Sequence, residues 1–395
     1  MRRSPLRRTA LLLALGAAIL LLSAGGHPRG VALSAVSGVT VRVGLLLNQL
    51  AVAVTADGPA SLVDAASARS VPLERGAWTL RPGASGVEVE GGESFGPVVR
   101  FVPAEGTRLG AAGRTYRGIM EVRRTPQGRL TLINELDLEP YLYGVVRSEM
   151  NPNWPAEAIK AQAVAARTLA LYSMATGRFR AEVYDVRATT DTQVYGGIPA
   201  EHPAATAAVD ATRGLVITYL GQPILAVFHA DAGGYTEDAA LVWGGNTPYL
   251  RGVACPYDGD SPYREWVARL APLQIEERLR RGGIAVEEIT AIEPLQASSS
   301  GRILTLRIIG RSGAVEMRGT VFRTLVGPDV IRSTRFAVSA SGDDGSGSRT
   351  LEFRGSGWGH GVGMCQWGAR GQALAGRTFE QILKFYYTGI ALDGP

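Results

Sequence analysis

The chain has 395 residues, of which 46% are hydrophobic and 19% charged, and its formal net charge is +5. This length indicates two or three compact units at roughly 150 residues per domain. The 50 glycines and 21 prolines stay below the roughly 25–30% that is typical of low-complexity chains, so a disordered or collagen-like protein is excluded. The glycine content favours short strands joined by turns over a helical bundle.

The N-terminus has the pattern of a secretory signal. Four arginines precede 13 apolar residues from Ala10 to Leu22, and small residues follow them. Such a helix spans about 20 Å, which is short of the roughly 30 Å core of a bilayer. We therefore predict a signal peptide at residues 1–24 and an exported protein, with an uncleaved membrane anchor as the alternative. Removing the four arginines from +5 leaves a net charge of +1, so we expect no nucleic-acid partner.

Residues 37–130 have the pattern of a β-rich N-terminal region. Short β-branched runs alternate with turn signals in VTVRVGLLL, GVEVEG and PVVRFVP. Two further runs, IMEVRR and RLTLINEL, flank Thr125-Pro126-Gln127-Gly128 and predict a hairpin. The region contains no histidine or cysteine, and we assign it a structural role.

One long helix is predicted from about Pro155 to Met174, with Asn153 as its N-cap and Gly177 just beyond its end. Its sequence, AEAIKAQAVAARTLALYSMA, is apolar on nearly all sides, which indicates a buried helix. A buried alanine-rich helix in a β-rich chain predicts the α+β fold class.

The pattern changes after Pro262, where we predict a β-rich insertion at about residues 263–349. A short helix in LQIEERLRR precedes strands in AVEEITAIEPL and GRILTLRIIG, which a Ser298–Gly301 turn separates, and a later strand in RFAVSAS. The last segment is dense in glycine and becomes helical through FEQILKFYY.

Glu149 is the first candidate for chemistry. It lies among apolar residues in YLYGVVRSEMNPNWP, where ionisation is costly, so the carboxyl group can stay protonated near neutral pH and serve as a general acid. The alternative is that Glu149 caps the following helix, whose N-terminus favours the charged form.

Two other segments carry polar groups that suit a ligand. Asp191, Gln193 and Tyr195 alternate in ATTDTQVYGG, which predicts a strand with three hydrogen-bonding groups on one face. A solvent-facing strand without a function explains that pattern equally well. His229 ends an apolar strand and enters the Gly233-Gly234 turn, a position typical of ligand-binding histidines and of buried structural ones.

The segment GSGWGHGVGMCQWGARG combines many glycines with Trp358, His360, Gln366 and Trp367. So many glycines beside these side chains favour a binding site over a plain turn. The segment has neither the ending of a phosphate-binding loop nor a dinucleotide fingerprint, and the chain lacks HExxH and GxSxG motifs.

The chain has two cysteines, Cys255 and Cys365. A disulfide between them would close a loop of about 110 residues, worth roughly 4–5 kcal/mol, but the sequence alone does not bring them within bridging distance. Two cysteines make a structural zinc site only if other ligands such as histidines complete it. We predict no metal site.

Several of these segments resemble the family of stage II sporulation protein D (SpoIID) and the LytB amidase enhancers. YLYGVVRSEMNPNWPAEAIKAQAVAARTLAL is similar to the family's signature, and DTQVYGG, FHADAGGYTE, VWGGNTPYLRGV and GWGHGVGMCQWGARG follow in the same order. The resemblance runs from about Tyr116 to Tyr387 and implies a SpoIID/LytB-like domain over residues 131–392.

The resemblance implies a protein directed at peptidoglycan in the cell wall, the extracellular space or the periplasm. In one branch it implies a lytic transglycosylase that cleaves the bond between N-acetylmuramic acid and N-acetylglucosamine in denuded glycan strands and leaves 1,6-anhydro ends. The family's acidic residue falls on Glu149, and Arg167 is expected to bind the glycan or orient Glu149. The other positions expected in the substrate groove are Gln193, Tyr195, His229, Trp243, His360 and Gln366.

The LytB name implies the alternative, a non-catalytic glycan-binding protein that stimulates an N-acetylmuramoyl-L-alanine amidase. The expected partners are therefore glycan strands and, in the alternative, a cell-wall amidase, with no cofactor. Two features depart from the family's pattern: Asn151-Pro152-Asn153 follows the glutamate, and Cys365 stands where serine is expected. Some relatives are thought to hold zinc through histidine and cysteine, but no cysteine lies near His229 in the sequence, so the metal is not carried over.

Overall fold

The computed structural model describes residues 38–394 except residues 178, 312 and 342–349. The predicted signal peptide at residues 1–24 lies outside these described residues. In the described part of the chain, no helix is long and apolar enough to cross a membrane.

The fold is α+β, as predicted, and it divides into two compact units. We call the described residues of Gly25–Ala239, Asn246–Arg264 and Gly357–Pro395 the main unit. The inserted unit comprises the described residues of Ala240–Gly245 and Glu265–Ser356.

The helices of the described residues are numbered in chain order. They are α1 (Leu138–Glu149), α2 (Ala156–Thr176), α3 (Pro203–Ala211), α4 (Ala239–Trp243), α5 (Pro272–Arg281), α6 (Gly319–Val326), α7 (Gln366–Leu374) and α8 (Phe379–Tyr386), with short 3-10 turns at Arg180–Glu182 and Ile198–Ala200.

The strands before α1 form most of the two large sheets. They are β1 (Thr40–Gln49), β2 (Val52–Ala56), β3 (Ala60–Asp64), β4 (Ser70–Leu73), β5 (Gly76–Pro82), β6 (Val87–Val89), β7 (Ser94–Phe95), β8 (Val98–Pro103), β9 (Leu109–Ala111), β10 (Arg114–Tyr116), β11 (Ile119–Arg124) and β12 (Leu130–Asp137).

The later strands are shorter on average and belong to both units. They are β13 (Val186–Arg187), β14 (Val216–Tyr219), β15 (Gln222–Pro223), β16 (Phe228–His229), β17 (Trp266–Leu270), β18 (Ala291–Ala297), β19 (Ile303–Gly310), β20 (Gly313–Arg318), β21 (Phe336–Ser341), β22 (Thr350–Gly355), β23 (Met364–Cys365) and β24 (Ala391–Asp393).

Two large sheets build the β-rich part of the main unit, with strand orders β13-β1-β12-β11-β8-β3-β4 and β10-β9-β2-β5-β6-β7. The predicted hairpin is confirmed, because β11 and β12 pair antiparallel from Ile119 opposite Glu135 to Arg124 opposite Leu130. Strand β12 then leads directly into α1. The seven-stranded sheet, to which β12 belongs, thus fixes where the helix that carries Glu149 begins.

Helix α2 confirms the predicted buried helix, and most of its alanines have no exposed surface. It ends at Gly177, whose left-handed φ of 62° suits a glycine C-cap. The prediction of Asn153 as N-cap was wrong: Pro155 occupies that position without a side-chain cap. Asn153 instead donates its N–H to the Asn151 side chain in the preceding turn.

The inserted unit contains the sheets β17-β22-β21 and β18-β19-β20 together with α5 and α6. Its own core includes the buried residues Phe322, Phe336 and Phe353. The strand predicted in AVEEITAIEPL begins only at Ala291. Glu288 lies three residues before that strand and has a left-handed φ of 49°. This backbone conformation is not extended, so the strand does not include Glu288.

Candidate functional site

Glu149 is the last residue of α1 and is half-buried. Its Oε1 accepts a hydrogen bond from the N–H of Val194 at 3.0 Å. Burial raises the pKa of Glu149 above its ordinary value, and the Val194 bond opposes that rise only in part. Among the described residues, no arginine or lysine forms an ion pair with it. It does not cap α2, so the capping alternative does not describe this structure.

Three elements meet at the end of α1. The side-chain amide of Gln366, at the start of α7, donates to the backbone carbonyl of Glu149 at 2.9 Å and to Oε1 of Gln162 on α2 at 3.2 Å. The rings of Trp154 and Trp367 meet edge to face with centroids 4.8 Å apart. The backbone around Glu149 is therefore held by α2 and α7.

Gln193 and Tyr195 lie in a loop that contacts α1, α2 and β12, and they are not on an exposed strand. The segment 188–197 is loop, so the prediction of a strand was wrong. Both side chains are buried: Gln193 donates to the carbonyl of Ala166 and accepts from Tyr141, and Tyr195 donates to Asn134. Because their polar groups bond to the helices and to β12, these residues support α1 and do not face solvent.

Arg167 is fully buried on α2. Its Nε and Nη2 donate to the two carboxylate oxygens of Glu139 at 2.8 and 2.7 Å, and its remaining bonds go to backbone carbonyls. The expectation that Arg167 binds glycan directly does not fit a side chain without exposed surface. The ion pair ties α2 to the first turn of α1, which carries Glu149 at its other end.

His229 and His360 lie together, with ring centroids 5.5 Å apart. Nδ1 of His229 is 3.1 Å from the carbonyl of Val362, and Nε2 of His360 is 3.0 Å from the carbonyl of Phe228. They are brought together because β16 pairs parallel with β23. His229 is buried and His360 half-buried.

Trp243 ends α4 and belongs to the inserted unit, whereas Glu149 belongs to the main unit.

Sequence reasoning missed two arrangements. The first is the Trp154–Trp367 pair, for which the signal was a tryptophan in the polar segment just before α2 and another in the glycine-rich segment near the end of the chain. The second is a buried group formed by Cys255, Asp258 and Cys365, whose ligand atoms all lie within 4.8 Å of one another. No spacing in the sequence links positions this far apart.

The fold and the site define an α+β protein in which one half-buried glutamate ends a helix that is braced by a buried ion pair. A family model described as stage II sporulation protein matches residues 126–219, the part of the chain that contains this glutamate. A second model, described as a domain of unknown function (DUF8618), matches residues 259–363.

Individual proteins agree with that match. Stage II sporulation protein D of Bacillus subtilis is 31% identical over 275 residues, which cover 66% of this chain and 76% of that protein. An uncharacterized protein of Brachyspira hyodysenteriae is 37% identical over 261 residues, 66% of this chain and 68% of its own length. The amidase enhancer of B. subtilis is 26% identical over 369 residues, 80% of this chain and 50% of its own length. The chain belongs to the stage II sporulation protein D and amidase-enhancer family.

Proposed function

We propose that this protein acts on the bacterial cell wall as a lytic transglycosylase. It cleaves the bond between N-acetylmuramic acid and N-acetylglucosamine in glycan strands that lack stem peptides, after export by its N-terminal segment. The observation that carries the proposal is the half-buried Glu149 with its raised pKa and without a cationic partner among the described residues.

One carboxyl group is sufficient for this reaction. Protonated Glu149 donates its proton to the glycosidic oxygen as the bond from C1 to that oxygen breaks. The resulting carboxylate then accepts the proton of the C6 hydroxyl, whose oxygen bonds to C1 and closes a 1,6-anhydro ring. Water is not consumed, and Glu149 returns to its protonated form.

The proposed reaction needs fewer groups than ordinary glycoside hydrolysis. Hydrolysis uses a second carboxylate to activate water or to attack carbon, whereas ring closure by the C6 hydroxyl needs only Glu149. The half-buried Trp154 and Trp367 offer aromatic surface next to the same end of α1. Apolar ring faces of this kind suit the carbon faces of sugars.

The test is to incubate the purified protein with denuded glycan and detect 1,6-anhydromuramic products by mass spectrometry. We expect wild type to produce them and Glu149→Gln to lose the activity. Glu157→Gln is the matched control, because Glu157 forms an ion pair with Lys160 at 2.7 Å on α2 and has no role in the reaction. Equal product from wild type and Glu149→Gln would refute the assignment of the acid.

The second candidate is a non-catalytic protein that binds glycan and stimulates a cell-wall amidase. The similarity to a protein named amidase enhancer, over 80% of this chain, favours it. Two substrates decide between the two: an enhancer yields no anhydro product from denuded glycan with or without Glu149, but it increases peptide release when an N-acetylmuramoyl-L-alanine amidase acts on intact peptidoglycan that still carries its stem peptides.

A further inference from the structure

Three buried metal-binding groups meet in the main unit. Sγ of Cys255, Sγ of Cys365 and a carboxylate oxygen of Asp258 all lie within 4.8 Å of one another. Cys255 and Asp258 precede β17, whereas Cys365 ends β23. The fold thus assembles a set of ligands from two distant parts of the chain, and the carboxylate supplies the third ligand that two cysteines alone lack.

The charges at this cluster are not balanced by protein cations. Asp231, next to Asp258, has no exposed surface, and its Oδ2 is buried without a hydrogen-bond partner among the described residues. In the part of the chain that the structure describes, neither carboxylate forms an ion pair with arginine or lysine. Two buried carboxylates that lie side by side are costly unless a cation joins them.

The sulfur of Cys365 is held in a fixed position. Cys365 is the N-cap of α7, and its Sγ accepts hydrogen bonds from the N–H groups of Gly368 and Ala232, both at 3.2 Å. A Cβ on Gly368 would lie 2.5 Å from Sγ of Cys255, so glycine is needed for the helix to approach the cluster this closely.

We propose that Cys255, Asp258 and Cys365 supply three ligands to a zinc ion, with Asp231 as the neighbouring carboxylate that completes its negative surroundings. A tetrahedral zinc ion with bonds of about 2.3 Å holds two sulfurs roughly 3.8 Å apart. This separation fits the cluster, in which the two sulfurs lie within 4.8 Å of each other. Thiolate ligands select zinc over calcium or magnesium. A disulfide would satisfy the sulfurs but leave both buried carboxylates without a cation.

The zinc ion would hold the start of α7. Gln366, which follows Cys365 directly, donates to the carbonyl of Glu149, so the site braces the candidate catalytic residue from behind. The inference does not depend on glycan cleavage, because it concerns metal content and holds equally for a non-catalytic enhancer.

The first experiment measures metal in the wild-type protein, purified without chelators and under anaerobic conditions. We expect elemental analysis to find one zinc ion per chain. After exchange with cobalt, we expect a sulfur-to-cobalt charge-transfer band in the near ultraviolet. Metal-free protein would overturn the proposal, whether its intact mass is lower by two hydrogens, as a disulfide requires, or both thiols react freely.

Variants at Asp258 test the ligand set. Asp258→Asn should weaken zinc binding by more than the roughly 10–100-fold that loss of an outer hydrogen-bond partner costs. Asp258→Cys should keep the zinc and intensify the cobalt charge-transfer band, and this variant supplies a ligand instead of removing one. Asp260→Asn is the matched control, since Asp260 is exposed and pairs with Arg370. Unchanged affinity and cobalt spectra in both Asp258 variants would refute the assignment.

Discussion

At Glu149 the property that suits catalysis also lowers stability. Burial raises the pKa of this carboxyl group in the folded protein above its value in the unfolded chain. The folded state therefore holds the proton to higher pH, and the free energy of unfolding falls as the pH rises through the folded pKa. The deficit persists at every higher pH.

We predict that Glu149→Gln stabilises the protein at pH 7.5 while it removes activity. Glutamine does not ionise, and its side-chain oxygen can still accept the bond from Val194. At a pH well below 4, where the wild-type carboxyl group is protonated in both states, the two proteins should have the same stability. Urea denaturation at the two pH values measures this difference.

Glu157 is the control of opposite sign. Burial raises the pKa of Glu157. Hydrogen bonds from Lys160 and from the N–H of Phe379 together lower it by a larger amount, so the net shift of the pKa is downward. Its ionised form therefore stabilises the fold above the unfolded pKa, and Glu157→Gln should lower stability at pH 7.5. If both glutamine variants changed stability in the same direction, the distinction between the two carboxyl groups would be refuted.

The elements around the site are held by a buried ion pair that joins α1 and α2. We predict that Arg167→Met lowers the free energy of unfolding by about 3–5 kcal/mol, because it leaves the buried Glu139 carboxylate without its cation. The double variant Arg167→Met/Glu139→Leu should recover much of this loss. Chemical denaturation of the two single variants and the double variant gives the coupling energy between the residues.

Arg213 provides the matched comparison on the surface. It pairs with Asp210 at 2.8 Å, with about half of each side chain exposed, so Arg213→Met should cost no more than about 1 kcal/mol. If Arg167→Met instead kept full stability but lost glycan binding, Arg167 would be a substrate ligand, as the sequence led us to expect.

Sequence patterns predicted these elements where the cause is local. The alanine-rich run and Gly177 are sufficient to predict α2 and its end, and the apolar neighbours of Glu149 predict the direction of its pKa shift. The alternation of Asp191, Gln193 and Tyr195 predicted a strand wrongly. Gln193 and Tyr195 find their hydrogen-bond partners on β12, α1 and α2, and alternation along the sequence carries no information about partners so distant.

At the scale of the whole molecule, contacts between distant segments determine what the sequence could not predict. The Cys255–Asp258–Cys365 cluster depends on β23 and α7 returning to the loop before β17. The predicted insertion at about residues 263–349 remains a prediction, whereas the fold contains an inserted unit at Ala240–Gly245 and Glu265–Ser356. A short segment that includes Trp243 joins that unit only through the tertiary structure.

Because the inserted unit encloses its own hydrophobic core, we predict that it opens as a cooperative unit of its own. Phe353→Ala removes a fully buried ring and should cost about 3–5 kcal/mol. Hydrogen exchange should then accelerate at the amides of β21 and β22 and stay unchanged in β1 and β12. Leu142→Ala, in the core of the main unit, should produce the reverse pattern. If either substitution accelerated exchange equally in both units, the chain would unfold as one cooperative body, since separate cores are expected to open with separate free energies.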